Sequence, residues 1–398
     1  MSALPDISQL PAEEQLILAA MKLVVSETEM DRIDALIPAV SDWKMIGKLA
    51  VERGVGPLLL KKLEASKQTA NIPAEVLALL RQSYFITLRR SLWLYEAYKT
   101  IATAFNAKGL KFIVLKGACL SEMLYKDPGL RQFSDIDILV EKDRAAEFLV
   151  ILRELGFVSR EKELLHSDFV KQYLDFVHYP PMDKDGISVE VHIKLHQKKY
   201  PYRMDIPVIL HDAVPVDIQH MPAHALHFDD LLIHLCVHAD KHFNEGQIQF
   251  TCYNDITNLL CNPQQPIDWN RFVARCRQHR SEQVVFRHLL LVQHFCGAPL
   301  PAELISRYRK ALTVDDCRQF LQFLRGEFRN KQVKKSLLST SWTLLKDIDR
   351  FSDKIRFIGH MLFPPKSYMI ERFQLKNPSH FRLYYFVRIW RLLLTRFK

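Results

Sequence analysis

No C-x-x-C pair occurs among the seven cysteines of this 398-residue chain (119, 236, 252, 261, 276, 296 and 317). An odd, dispersed set in a chain of this length excludes a disulfide framework and reads as reduced thiols, so a cytoplasmic setting is expected. There is no stretch of eighteen uncharged apolar residues, which excludes a membrane-spanning helix. The opening Met1-Ser2-Ala3-Leu4-Pro5-Asp6 has neither a basic nor an apolar leader segment, and no signal peptide is expected. No G-x-x-x-x-G-K-[ST] element is present, which argues against P-loop kinases and NTPases. There is also no fixed-period repeat and no low-complexity linker, so the domains are expected to pack on one another.

What is present is ordinary in bulk, 48% apolar and 25% charged, enough for two or three domains with ample core. The net charge of +10 is unevenly spread. Residues 366–398 hold eight lysines and arginines against one glutamate, which is seven of those ten charges. The basic balance therefore belongs to a tail and says little about what the rest of the chain binds.

Residues 1–109 read as a helical region. Pro11 with Glu13 and Glu14 opens one helix, Ser41 and Asp42 can cap another that ends near Gly54, and Pro73 opens a long one that ends near Gly109. In the last, Leu77, Leu80, Tyr84, Leu88, Leu92, Tyr95 and Tyr98 recur at threes and fours, the stripe of a core-facing helix. Residues 110–224 change to a small α/β core. Strands are expected over 111–115 and 134–140, helices over 118–125 and 143–155, and a hairpin of 176–179 with 187–195 around Asp183-Lys184-Asp185-Gly186. Residues 225–350 read as a helical domain with probable helices at 227–243 and 254–260, and 351–398 as a basic, aromatic-rich helical tail. The fold class is α+β: a small mixed sheet flanked by helical regions.

The most informative segment is Phe112-Ile113-Val114-Leu115-Lys116-Gly117-Ala118 with Arg131-Gln132-Phe133-Ser134-Asp135-Ile136-Asp137-Ile138-Leu139-Val140. Alternation along the second strand puts Asp135 and Asp137 on one face and Ile136, Ile138 and Val140 on the other. Two adjacent carboxylates repel unless a cation lies between them, which suits Mg²⁺ or Mn²⁺ together with substrate phosphates. A two-metal site of this kind clamps the attacking and leaving oxygens of a phosphoryl-type displacement. The strand 187–195 also alternates, with Glu190, His192 and Lys194 opposite Val189, Val191 and Ile193. Placed beside the first strand, Glu190 becomes a third carboxylate ligand; otherwise it lies on an ordinary polar outer face.

D-x-D alone is a weak signal. The whole package resembles the polymerase β-type nucleotidyltransferase superfamily: a strand ending in Lys-Gly, a helix, an arginine, then Ser-Asp-x-Asp and an apolar run. It is most similar to a bacterial branch of uncharacterised nucleotidyltransferases, matched by Leu115, Lys116, Gly117, Tyr125, Asp127, Pro128, Arg131, Asp135, Asp137, Leu139 and Val140, and by Glu190 and His192 as its third-carboxylate strand. Upstream, Asp42-Trp43, Leu49-Ala50, Gly54-Val55 and Pro57-Leu58-Leu59 look like that branch's helical part, so the resemblance spans about residues 10–300. It implies transfer of an NMP from an NTP to an acceptor with release of pyrophosphate. Asp135, Asp137 and Glu190 would be the catalytic and metal-binding residues. Lys116, Gly117, Ala118, Arg131 and Ser134 would be the nucleotide-binding residues. The usual Gly-Gly or Gly-Ser turn is Gly117-Ala118 here, which removes a hydroxyl and leaves Lys116 and Arg131 to supply charge to the phosphates. The plain alternatives are a surface lysine at a strand end and an ion pair of Arg131 with Asp127 or Asp135.

Further along, Asp230, His234, His238 and Lys241 share a helix, with the two histidines on one face. His192, His238 and Lys241 are candidates for the cleft. Without a third ligand the pair is weak for zinc, and an interdomain face of hydrogen-bonded histidines explains it as well. His178 reads as structural. The tail 381–398 mixes bulky apolar and basic residues, which suits either peripheral contact with an anionic inner-membrane surface or a helix packed on the body with its arginines snorkelling. Two other function classes stay open: a nucleotidyltransferase fold that binds without turnover, and a nucleic-acid or membrane-surface adaptor working through the tail. The acceptor and the particular NTP are not legible in the sequence.

Overall fold

The computed structural model describes residues 4–159, 177–196, 202–246, 249–264 and 266–327, and beyond these 363, 366, 369, 373 and 378–394. The described residues within 4–196 and 202–327 belong to one compact unit, and those from 363 onward to a second.

In the first unit, helices Ala12–Ala20, Glu27–Leu36, Trp43–Glu52 and Gly56–Ala65 precede the 34-residue helix Ala74–Ala107. Their starts follow from local chemistry. Ser26 and Glu29 form a capping box, and the Asp42 carboxylate accepts the Met45 N–H at 2.8 Å. The long helix begins directly after Pro73 and ends before Gly109, whose φ of +60° only glycine adopts freely. Its buried stripe runs through Leu80, Thr87, Ser91, Leu94, Tyr98, Ile101 and Phe105. Leu92, expected in that stripe, is 48% exposed. The expected Leu77, Leu80, Tyr95 and Tyr98 are buried, and beside Leu92 the buried positions are Ser91 and Leu94.

Seven strands form one mixed sheet: β1 (Ile113–Val114), β2 (Asp135–Leu139), β3 (Val158–Ser159), β4 (Met182–Lys184), β5 (Ile187–His192), β6 (Val214–Ile218) and β7 (Met221–Ala225). Their order is β3-β4-β5-β2-β1-β7-β6. β2 lies at the centre, antiparallel to β1 and parallel to β5. The chain is mostly helical around this sheet, an α+β fold.

The apolar face of the sheet sets its position. Ile136, Ile138 and Val140 from the β2 segment and Val189 and Val191 from β5 are buried against Tyr95, Tyr98 and Phe105 of the long helix. Helix Ala145–Glu154 adds Phe148, whose ring meets that of Phe105 edge-on at 4.8 Å. Burying one such ring contributes about 1.5–3 kcal/mol. The opposite, polar face of β2 and β5 is thereby fixed in direction.

Several elements differ from the sequence reading. The first strand is only two residues long. The hairpin around Asp185-Gly186 pairs β5 with Met182–Lys184; Pro180-Pro181 interrupts the arm before it, leaving an isolated bridge of His178 with His192. Residue 176, where that arm was expected to begin, lies outside the described residues, as do 328–350 and 395–398. The β6–β7 hairpin was not anticipated. Its turn is Gln219-His220, both at positive φ (52° and 63°), and Pro215 and Pro222 sit inside its strands, so it carries none of the usual hairpin signals.

In the second unit, a turn at Pro378–Arg382 leads into helix Leu383–Leu394. Phe363 and Phe381 place their rings 5.5 Å and 5.9 Å from that of Tyr385. Among the described residues no helix is long and apolar enough to cross a membrane.

Candidate active site

β2 and β5 are in register with Asp137 opposite Glu190 and Leu139 opposite His192. Parallel neighbours share side-chain direction at paired positions, so Asp135, Asp137, Glu190 and His192 emerge on one face of two central strands. Asp137 and His192 are buried, each 4% exposed, while Asp135 and Glu190 are half-buried.

Asp137 is the hub. Its Oδ1 lies 2.7 Å from His192 Nε2, and its Oδ2 accepts from Lys116 Nζ at 3.2 Å. Burial alone would raise its carboxyl, but Lys116 and His192 hold it well below the usual carboxylate range. His192 Nε2 also lies 3.4 Å from Glu190 Oε2, and His178 Nε2 approaches the same oxygen at 3.6 Å. Burial would lower the His192 imidazole, yet its bonds to Asp137 and Glu190 raise it. Asp135 has the opposite fate: burial first, then the neighbouring Asp137 charge, pushes its carboxyl up to about 6.

Asp137, Glu190 and His192 each bring a ligand atom within 4.8 Å of one another, a group that could hold a metal ion. Two carboxylates and an imidazole on rigid strands fit a divalent cation. The group differs from the expected set, since His192 stands where Asp135 was placed. The signal was in the sequence: His192 follows Glu190 by two, so alternation puts both on one face.

The turn after β1 also departs from expectation. Its left-handed residue is Lys116, with φ +42°, and not the glycine. Gly117 is required for space: a Cβ there would lie 2.5 Å from Phe133 Cβ and 2.9 Å from Arg131 Nη1. The Ala118 methyl packs into the core, and its carbonyl accepts from Tyr95 Oη at 2.9 Å. Ser134 is exposed at the start of β2, where its carbonyl accepts from Arg90 Nη2 at 2.9 Å.

Arg131 is 7% exposed and clamps Asp255 of helix Phe250–Leu260, with Nε to Oδ1 at 3.1 Å and Nη2 to Oδ2 at 2.7 Å. Tyr125 Oη donates to the same carboxylate at 2.9 Å. Its ion-pair partner is thus neither Asp127 nor Asp135. Asp127 instead takes Lys61 at 2.9 Å. Nothing local in the sequence marks Asp255, which lies more than a hundred residues away.

Helix Phe228–Asn244 carries His234, His238 and His242, with successive ring centroids 6.1 Å and 4.6 Å apart. Burial, then the Lys116 charge, lowers His234 to about 3 and holds His238 well below its usual value. Burial, then the charge of Lys241 on the same helix, lowers His242 to about 4. His238 and Lys241 are half-buried. Among the described residues neither ring nitrogen of His234 has a hydrogen-bond partner, so the expected hydrogen-bonded face does not hold for it. Asp230 is engaged elsewhere, with Arg275 and His279.

Among protein families, the one described as "Uncharacterised nucleotidyltransferase" matches residues 39–297, well over half of the chain. No curated protein and no solved structure matches.

Proposed function

The chain belongs to the uncharacterised nucleotidyltransferase family, and from that premise we propose that it transfers an NMP from an NTP to an acceptor, releasing pyrophosphate. The observation that carries this reading is the convergence of Asp137 and Glu190, direct partners across two central strands, with Asp135 beside them on the same face. Asp135, Asp137 and Glu190 would hold Mg²⁺ or Mn²⁺. A bound divalent cation supplies charge neutralisation and alignment of the phosphate oxygens.

The chain's own residues do the rest. Lys116, already aimed at the centre by its contact with Asp137, meets the triphosphate charge. Gly117 lets the segment 131–133 approach closely, which holds Lys116 and the start of β2 together. Ser134, exposed at the start of β2, would border the bound nucleotide, and the half-buried His238 and Lys241 would face nucleotide or acceptor. Glu190 takes the acceptor proton as the acceptor oxygen attacks the α-phosphorus. The bond from that phosphorus to the α–β bridging oxygen breaks, and its electron pair leaves with pyrophosphate. Most of the acceleration comes from positioning and charge complementarity.

A second reading, binding without turnover, is favoured by two placements: Ala118 packs into the core, and Arg131 is committed to Asp255. Incubation of the protein with each α-labelled NTP, Mg²⁺ or Mn²⁺ and a cell extract separates the two. Label appearing in a discrete molecule supports transfer; nucleotide binding without labelling supports the second reading.

A further inference from the structure

We propose, resting on the metal-dependent reading above, that His192 and His178 are themselves metal ligands through Nε2, and that the centre takes a transition-metal dication of the Mn²⁺ class in preference to Mg²⁺. The two nitrogens lie 3.4 Å and 3.6 Å from one oxygen, Glu190 Oε2. His192 Nε2 is also 2.7 Å from Asp137 Oδ1. Ligands at about 2.1 Å from a common octahedral cation sit about 3 Å apart, so Asp137, Glu190 and His192, whose ligand atoms all lie within 4.8 Å of one another, need little adjustment, whereas His178 stands outside that group and must close in.

The tautomer of His178 points the same way. Its Nδ1 lies 2.7 Å from the Tyr179 carbonyl oxygen. A carbonyl only accepts, so Nδ1 carries the hydrogen, and in the neutral form of the ring the Nε2 lone pair faces Glu190. Two lone-pair-bearing atoms facing each other call for a cation between them. A ring that donates its far N–H to a backbone carbonyl is also the usual outer support of a metal-bound histidine. His192 lacks that support, since its Nδ1 is buried and has no partner among the described residues. Coordination displaces the Nε2 proton of His192, which leaves with the exchange. His178 and His192 are held together by their backbone bridge, with ring centroids 5.0 Å apart. Imidazole nitrogen adds little affinity for Mg²⁺, a hard cation with a preference for oxygen and water, and much more for first-row transition dications.

The test uses the full chain without a polyhistidine tag, titrated calorimetrically with MnCl₂ and with MgCl₂. The Mn²⁺ form is then examined by pulsed electron paramagnetic resonance for directly coordinated ¹⁴N. Expected are a ¹⁴N coupling and Mn²⁺ binding at least about tenfold tighter than Mg²⁺. His192→Asn and His178→Asn should each diminish the coupling and weaken Mn²⁺ by about tenfold or more, with Mg²⁺ changed by less than about threefold. Circular dichroism checks that each variant is folded; should His192→Asn not fold, the half-exposed His178 and the wild-type spectrum still decide. Mn²⁺ bound without ¹⁴N coupling, or with coupling untouched by both substitutions, overturns this inference and leaves the metal-dependent reading standing. Binding of neither cation overturns that reading as well.

Discussion

Asp135 and Asp137 stand two residues apart on one face of β2 in opposite electrostatic surroundings. Asp137 is held between Lys116 and His192 and stays ionised, whereas Asp135 is pushed up to about 6 by burial and by the Asp137 charge. Mutual repulsion, the simple expectation for such a pair, therefore falls on Asp135 alone. Asp135→Asn should leave the melting temperature unchanged or raise it. Asp137→Asn leaves Lys116 without its counter-charge and should cost about 3–5 kcal/mol, as for a broken buried ion pair. Urea unfolding of the two variants checks the sign; equal effects would contradict the asymmetry.

Gly117 is needed for space. Gly117→Ala should destabilise by about 1–3 kcal/mol, the usual cost of forcing a methyl into a packed contact. It should also disturb Lys116 and so weaken nucleotide binding. Denaturant midpoints and binding of a fluorescent NTP measure both effects. A variant as stable as wild type would show that the 131–133 segment yields freely.

Arg131 and Asp255 form a buried pair, so removing either partner leaves a charge without compensation. Arg131→Met and Asp255→Leu should each cost about 3–5 kcal/mol, and the double substitution should cost clearly less than their sum. A double-mutant cycle in urea reads the coupling. If Arg131 served phosphate instead, its single substitution would spare stability and raise only the apparent NTP dissociation constant.

One stability term depends on acid. Glu13 Oε1 accepts from Ser41 N and Oγ at 2.7 Å each and from Asp42 N at 3.0 Å. Burial raises its carboxyl, but these bonds outweigh it and hold it down to about 2, against an ordinary 4.5. The folded state thus binds the proton less readily than the unfolded chain. The stabilisation is full above about pH 4.5 and is lost as pH falls toward 2. Thermal melts across that window should fall more steeply for wild type than for Glu13→Gln, which should be less stable at pH 7.

Much of the site was legible because alternation along a strand is a strong rule. Asp135, Asp137, Glu190 and His192 fall on one face by counting twos, and the β2–β5 pairing brings them together. The long helix was legible from Pro73 to Gly109, and so was most of its buried face, since Leu77, Leu80, Tyr95 and Tyr98 are buried and Leu92 is the exception. The β6–β7 hairpin was hidden, since Gln219 and His220 hold left-handed conformations that sequence assigns to glycine or asparagine. Asp255 was hidden for another reason: its contacts with Arg131 and Tyr125 cross the fold, and short-range patterns carry no trace of these. His178 lies near Glu190, as its place on the expected hairpin arm allows.

Nucleotidyl transfer at the carboxylate centre on β2 and β5, as proposed above, can be followed by the transfer of label from an α-labelled NTP, measured side by side for wild type, Asp135→Asn and Glu190→Gln. Both substituted residues are half-buried, so both variants should remain folded by thermal melt. Expected are labelled acceptor with wild type and a loss of at least about a hundredfold in each variant, the scale of losing a group that acts in the transition state. Undiminished labelling by folded Glu190→Gln and Asp135→Asn would contradict it.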